Sequence, residues 1–244
     1  MGSFNFESDA KVVYGEKEIM VEFKYDSSVT SKEELESEGY EVKGQIASKK
    51  VVCKTATYIF AKLPQDLEDI KKIPLDREFG PMAASICSIA LYTKDKKVSI
   101  QTVDYKTWEV NECFEYLNGP ACEIANVDKQ NTVNILNNAF GYNTNSVSGG
   151  AYEYFDGANN TNDYTPNEPY TFTLYIGPYY IKAKAQTIAN PGGEPEKHMV
   201  FASPAGDDSD RYIDVYKSGD GNWYSWDTSF KHLIAGMKQT AKAW

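Results

Sequence analysis

The N-terminal part of the chain carries the alternating hydrophobic pattern of β-strands. Within residues 18–25, four apolar positions alternate with Glu, Met and Lys, namely Ile19, Val21, Phe23 and Tyr25. Because successive side chains of a strand point to opposite faces of a sheet, we expect these four residues to face the interior. Runs rich in Val, Ile and Tyr over 40–47 and 51–63 predict further strands, and residues 30–39 predict a short helix. Residues 1–62 are therefore predicted to be a β-rich N-terminal extension.

Further along the chain, the spacing of apolar residues changes to that of α-helices. Residues 79–93 contain no charged side chain, which predicts a helix buried on most sides. Apolar residues between Val110 and Leu117 follow the i, i+3, i+4, i+7 spacing, and the Gly119-Pro120 pair ends that helix. A further helix is predicted over 127–140. Residues 63–141 are therefore predicted to be a helical segment.

The C-terminal part returns to strand patterns after a polar stretch. Asn, Gly, Ser, Thr and Asp dominate residues 142–168, which predicts a linker or long loop. Alternating runs then predict a C-terminal antiparallel β segment over 169–244, closed by a short helix near 230–238. The predicted fold class is α+β: a β-rich N-terminal extension, a helical middle and a C-terminal antiparallel sheet with a short closing helix. An alternative division makes 63–244 a single domain.

Composition indicates a folded, acidic protein. The 244 residues are 41% hydrophobic and 25% charged, and the formal net charge is −10. An acidic surface repels phosphate backbones, and the basic residues do not form a strong cluster, so no nucleic-acid partner is expected. No apolar run approaches the roughly 20 residues that span a bilayer, so no membrane partner is expected either.

Cysteine usage and the N-terminal sequence bear on the compartment. The chain has four cysteines and no CxxC pair, so buried thiols in a reducing compartment are favoured over disulfides or a zinc ribbon. The first residues lack the basic start and apolar stretch of a signal peptide. A cytoplasmic location is therefore expected.

Candidate catalytic and metal-binding groups are sparse. His198 and His232 are the two histidines, and nothing in the sequence places either beside a nucleophile. Oxygen-bearing residues between Asp156 and Asp163 have no EF-hand spacing, and loops use such residues to bond their own backbone. Nucleotide-binding fingerprints are absent. We therefore predict no cofactor, no metal and no identified catalytic residue, although a pair of carboxylates for hydrolysis stays possible in a chain with 35 acids.

The aromatic hairpin YIDVYKSGDGNWYSWD supplies the candidate ligand-binding residues, namely Tyr212, Tyr216, Trp223 and Trp226. One face of this hairpin must join the core, and the other could form a platform on which sugar rings stack. Aromatic pairs across strands also stabilise a sheet without any ligand, and this second interpretation is favoured. The SGDGN turn is explained by glycines that tolerate positive φ.

Several segments occur in an order that resembles a known family. They are LEDIKKIPLDREFGPMAASICSIALY, CFEYLNGP, YFDGANNTNDYTPNEPYTFTL and DSDRYIDVYKSGDGNWYSWD. Over roughly residues 63–244, this order resembles a family of uncharacterised proteins, a domain of unknown function, from gut Firmicutes. The resemblance implies a cytoplasmic location and this order of elements, and it brings no established activity or catalytic residue. The N-terminal extension and the KTWEVNE insertion depart from the family pattern.

These observations favour a non-catalytic interaction or binding protein. One alternative is a small-ligand or carbohydrate-binding module that uses the aromatic hairpin, and a further alternative is a carboxylate-based hydrolase. The expected partner is another protein or a small ligand, and the sequence leaves the oligomeric state open.

Overall fold

The structure, a computed structural model, describes residues 3–6, 10–93, 116–117, 119, 150–162, 164–176, 197–204, 210–225 and 233. Eight strands within these ranges form one antiparallel sheet. The strands are β1 (Ser3–Phe6), β2 (Ala10–Lys24), β3 (Glu41–Lys43), β4 (Ile46–Phe60), β5 (Tyr170–Ile176), β6 (Lys197–Ala202), β7 (Arg211–Lys217) and β8 (Trp223–Ser225). The helices are α1 (Lys32–Ser37), α2 (Leu67–Lys71) and α3 (Gly80–Thr93). The predicted α+β class is confirmed at this level.

The order of the strands places the N-terminal extension directly beside the C-terminal strands. Strands follow one another as β1-β2-β4-β5-β6-β7-β8, with β3 added at the far end of β4. The segment Lys54–Phe60 of β4 pairs with β5, and the hydroxyls of Thr57 and Thr173 lie 2.9 Å apart across this junction. The strands of the N-terminal extension therefore continue directly into the C-terminal sheet.

The C-terminal half of β2 and the N-terminal half of β4 extend beyond β5 and have a small core of their own. Helix α1 packs there through Leu35, and the Tyr40 ring meets Phe23 edge to face at a centroid distance of 5.7 Å. Ser31 caps this helix by accepting a hydrogen bond from the Glu34 backbone N–H at 3.2 Å. The predicted inward face of β2 is half-buried rather than buried, because it points away from α3; within it, Phe23 and Tyr25 pack against this small cluster.

The main core lies between α3 and one face of the sheet. The predicted uncharged helix is confirmed, and its side chains are buried from Met82 to Leu91. Ser85 and Ser88 are buried with it, and each donates to the carbonyl four residues earlier at 2.7 Å. Opposite α3, the sheet contributes alternate side chains, among them Ala56, Tyr58, Phe60, Phe172, Leu174, Val200, Ile213 and Val215.

Parts of the predicted helical segment and linker can be placed. The predicted helix over 127–140 and most of the 110–117 stripe lie outside the described residues, but Tyr116 and Leu117 are helical and Gly119 has a φ of +63°. A Cβ at Gly119 would lie 2.4 Å from the Tyr224 ring, so this position has no room for a side chain. Within the described part of the predicted linker, a 3₁₀ turn spans Gly150–Tyr154, and the following loop packs into the core.

None of the helices in the described ranges has the length and apolar character needed to cross a membrane.

Candidate functional site

The four candidate residues of the aromatic hairpin have different environments. Tyr216 and Trp223 are buried, with 1% and 4% of their surface exposed, and Tyr212 is half-buried. The Trp223 ring packs against the His198 imidazole at a centroid distance of 4.7 Å, and its backbone N–H donates to the Leu75 carbonyl at 2.7 Å. Trp226 lies outside the described residues. Of the three placed rings, Tyr212 alone reaches solvent to an appreciable extent.

Tyr212 belongs to a row of three aromatic rings on the sheet face that points away from α3. This cross-strand row consists of Tyr175, Phe201 and Tyr212, which stand opposite one another on β5, β6 and β7. Tyr175 and Phe201 are stacked at 5.3 Å with an interplanar angle of 16°, and Phe201 and Tyr212 are 5.7 Å apart. A separation of 5.3 Å is too short for coplanar rings side by side, so Tyr175 and Phe201 cover part of each other's faces.

A polar group closes one end of the cross-strand row. The Tyr175 hydroxyl donates to the Asp210 carboxylate, and Ser203 Oγ donates to Asp210 Oδ1 at 2.6 Å. Burial and then this carboxylate raise the pKa of Tyr175 above its ordinary value. The hydroxyl is thus committed to Asp210, and the row resembles the cross-strand packing that stabilises sheets.

The oxygen-rich loop uses its side chains on its own backbone. Asn162 Nδ2 donates to the carbonyls of Gly157 at 2.7 Å and Thr165 at 3.0 Å, while Asn162 Oδ1 accepts from the Asn159 N–H at 3.0 Å. Within the described part of the chain, no group of three His, Cys, Asp or Glu side chains is arranged to hold a metal ion. Asp163 and His232 lie outside the described residues.

A different site is formed where four parts of the chain meet at one end of the sheet. This rim cleft has a volume of about 540 Å³. It lies between the turn after β4, the C-terminal part of α3, the 3₁₀ turn and the start of β5. Its lining consists of Ala61, Lys62, Leu63, Pro64, Gln65, Ala90, Leu91, Tyr152, Glu168 and Tyr170.

Two tyrosines form the aromatic part of the rim cleft. Tyr152 and Tyr170 are half-buried, and the fully buried Phe155 packs behind both, with centroid distances of 6.2 Å and 6.1 Å. Phe155 and Tyr170 are nearly perpendicular, at 80°. Because Phe155 contacts them from the protein side, the two tyrosines are supported as cleft walls.

Polar groups stand at the mouth of the rim cleft. Tyr170 Oη donates to Glu168 Oε1 at 3.2 Å, and burial, followed by this hydrogen bond, raises the pKa of Tyr170. The exposed Lys62 adds an ammonium group to the lining. The Gln65 amide Nε2 donates to the Leu63 carbonyl, which holds this side chain against the turn.

The sequence pattern does not reveal the rim cleft, because a polar stretch such as 142–168 predicts a linker or long loop and no site. The available signal was the presence of Tyr152, Tyr154 and Phe155 in an otherwise polar stretch. Large apolar rings at adjacent positions favour a loop that packs onto a core over a flexible spacer. The Tyr154 hydroxyl, for example, donates to the Leu233 carbonyl at 2.6 Å.

Comparison with known proteins yields one family. Residues 62–241 match the family model described as Domain of unknown function (DUF6935). No curated protein and no solved structure matches the chain.

Proposed function

The chain belongs to the DUF6935 family, and from this premise we propose that it is a non-catalytic binding protein that holds a small molecule in the rim cleft. The observation that carries the proposal is a concave site of about 540 Å³ lined by two supported tyrosines and a few polar groups. Small-molecule sites typically have volumes of roughly 300–1,000 Å³ with mainly apolar walls and a small number of placed polar groups.

The lining of the rim cleft combines apolar and polar surface in similar measure. Leu63, Pro64, Ala90 and Leu91 supply aliphatic surface, and the latter three are buried. Glu168 and Lys62 are the charged groups among the described lining residues. A concave site of this size favours a small ligand over the flat surface of a protein partner, which is the other kind of partner expected from the sequence.

The chemistry of the lining favours binding over hydrolysis. Glycoside hydrolysis by carboxylates uses two acids that flank the scissile bond. Among the described residues that line the rim cleft, Glu168 is the one carboxylate. We therefore rank a carboxylate-based hydrolase below a binding protein, and turnover of a bound sugar would reverse that order.

The predicted use of the aromatic hairpin ranks below the rim cleft for a geometric reason. A stacking platform needs an open ring face, and the rings of Tyr216 and Trp223 are buried. The hairpin alternative therefore depends on Tyr212 and on Trp226. The proposal keeps the cytoplasmic setting and the absence of nucleic-acid and membrane partners as expectations from the sequence.

The experiment blocks the rim cleft with a large side chain. Ala61 lines the cleft and is exposed, so Ala61→Trp fills the space from its solvent side without entering the core. Val52→Trp is the matched control, because Val52 is 63% exposed on the preceding strand and is not part of the cleft. Both variants and the parent are screened by ligand-observed NMR against sugars, amino acids, nucleotides and organic acids.

We expect at least one compound to bind the parent and Val52→Trp equally and to bind Ala61→Trp at least tenfold more weakly. The proposal is overturned if no compound in the panel binds at millimolar concentration. It is also overturned if every compound that binds does so equally well to Ala61→Trp. Thermal unfolding of each variant verifies that the comparison is made between folded proteins.

A further inference from the structure

The walls and rim of the cleft restrict the class of ligand, and this step rests on the proposed function. From the lining we infer that the ligand is a neutral polyhydroxylated compound of the size of a mono- or disaccharide, packed against Tyr170 and hydrogen-bonded by Glu168 and Lys62. Ring support, hydrogen-bonding capacity, net charge and size of the cleft each restrict the ligand.

The aromatic wall of the rim cleft favours a sugar ring. The faces of a tyrosine ring carry partial negative charge, and the C–H groups on one side of a sugar ring carry partial positive charge. Tyr170 lies in the lining, half-buried, with the buried Phe155 nearly perpendicular to it. A ring fixed in this way loses little conformational freedom when a ligand packs on it, which favours binding of a flat, weakly apolar surface.

The rim cleft combines hydrogen-bond donors and hydrogen-bond acceptors. A sugar hydroxyl both donates and accepts, so a site for it needs groups of both kinds. The Glu168 carboxylate accepts one bond from Tyr170 through Oε1, and a carboxylate has capacity for further bonds through both oxygens. Lys62 is a donor with three N–H groups. Charge-assisted hydrogen bonds of this kind are the stronger ones in proteins.

The charge of the lining favours a neutral ligand. Lys62 and Glu168 contribute one positive and one negative charge, so the described lining has no net charge. An anionic ligand would meet Glu168 and the surrounding field of a chain with a net charge of −10. A cationic ligand would meet the ammonium group of Lys62. A neutral ligand uses both charged groups and is repelled by neither.

The volume of the rim cleft limits the size of the ligand. A cleft of about 540 Å³ lies in the lower half of the usual range for small-molecule sites. It admits one or two sugar rings and is small for a dinucleotide or a long lipid. Acceptance of a longer chain would require the ligand to leave the cleft and lie across the protein surface.

The test uses isothermal titration with matched ligands and matched variants. The ligands are neutral mono- and disaccharides, together with the sugar acid, amino sugar and sugar phosphate of the same ring. Glu168→Gln keeps the shape of the side chain and removes its charge. Glu41→Gln is the control, since Glu41 is an exposed carboxylate on β3 that pairs with Lys43 at 2.7 Å, away from the cleft.

We expect a neutral sugar to bind the parent and Glu41→Gln equally and to bind Glu168→Gln about tenfold more weakly, because a charge-assisted hydrogen bond is replaced by a neutral one. The sugar phosphate should bind the parent weakly and gain relative to the neutral sugar in Glu168→Gln. Tyr170→Ala should remove sugar binding, whereas Tyr170→Phe keeps the ring and should retain most of it.

The outcomes separate this inference from the proposed function. If a ligand that Ala61→Trp excludes is charged or purely apolar, the inference is overturned and the protein is still a binding protein. If neutral sugars bind but Glu168→Gln and Tyr170→Ala leave their affinity unchanged, the inference also fails. If Ala61→Trp weakens the binding of no compound in the panel, the proposed function itself fails.

Discussion

The substitution Phe60→Ala tests whether the N-terminal strands belong to the same folding unit as the family domain. Phe60 is the last residue of β4 and precedes the region that matches the family model, which begins at residue 62. Its side chain is 1% exposed and stacks on Phe172 of β5 at a centroid distance of 6.0 Å. Tyr58 on the same strand lies 6.3 Å from it. These three rings form a contact between the extension and the C-terminal sheet.

The expected cost follows from this packing. Truncating a buried Phe to Ala typically costs about 3–5 kcal/mol, because the transfer free energy of the ring is lost and a cavity remains. The surrounding rings are held by the strand register, in which Phe60 stands opposite Tyr170 and Tyr58 opposite Phe172, so collapse into the cavity is limited. We therefore expect a loss of about 3–5 kcal/mol, a large share of the roughly 5–15 kcal/mol that a domain usually has.

Chemical denaturation followed by tryptophan fluorescence measures this loss. Val52→Ala on the same strand is the control, since Val52 is 63% exposed and its truncation should change the free energy of unfolding by less than about 0.5 kcal/mol. A fragment that starts at residue 62 should fail to fold, because β5 loses β4, the strand with which it forms its longer pairing, and Phe172 loses its stacking rings. If Phe60→Ala costs no more than Val52→Ala, the extension is not part of the core and the reasoning is refuted.

Three further predictions concern a glycine, two thiols and two tyrosines. Gly119→Ala should lower the free energy of unfolding by more than about 1 kcal/mol in a denaturant titration, because φ is +63° and the added Cβ meets an aromatic ring. Cys53 and Cys87 are buried with raised pKa values from desolvation, so mass spectrometry should find them alkylated slowly in native protein and rapidly in denaturant. Burial raises the pKa of Tyr58 and of Tyr175 above 10.0, so their contribution to stability is complete below pH 10.0 and is lost as the pH rises further. The part of the tyrosinate absorbance that comes from these two buried tyrosines should therefore appear together with alkaline unfolding, and ionisation of every tyrosine in folded protein would contradict this.

Local patterns in the sequence predict the secondary-structure elements, but they do not predict which elements lie next to one another. The uncharged run at 79–93 predicts a buried helix, and α3 is that helix. The strand periodicity of 170–176 likewise matches β5. Each of these patterns depends on residues within two turns or a few positions of one another, so the sequence contains the whole signal.

The far ends of the strand patterns show where local reasoning fails. The alternation in β2 predicts an inward face, yet Ile19 and Val21 are only half-buried, because they lie on the sheet face that points away from α3, opposite to Val12 and Tyr14 in the main core. Similarly, the hairpin pattern permits either aromatic face to be inside. The Trp223 ring is buried and packs against His198, while its backbone N–H donates to the Leu75 carbonyl, and neither contact is visible in the local pattern.

The sequence alone determined the α+β class, the acidic character, the buried α3 and the resemblance to a domain of unknown function. Tertiary structure decided that the N-terminal strands share the sheet of the family domain, through pairs such as Thr57 and Thr173 that are 116 residues apart. It also decided that Lys62, Tyr152 and Glu168 line one cleft. The physical reason is that strand pairing and cleft formation join residues distant in sequence, and no periodicity within a segment specifies which segment will lie beside it.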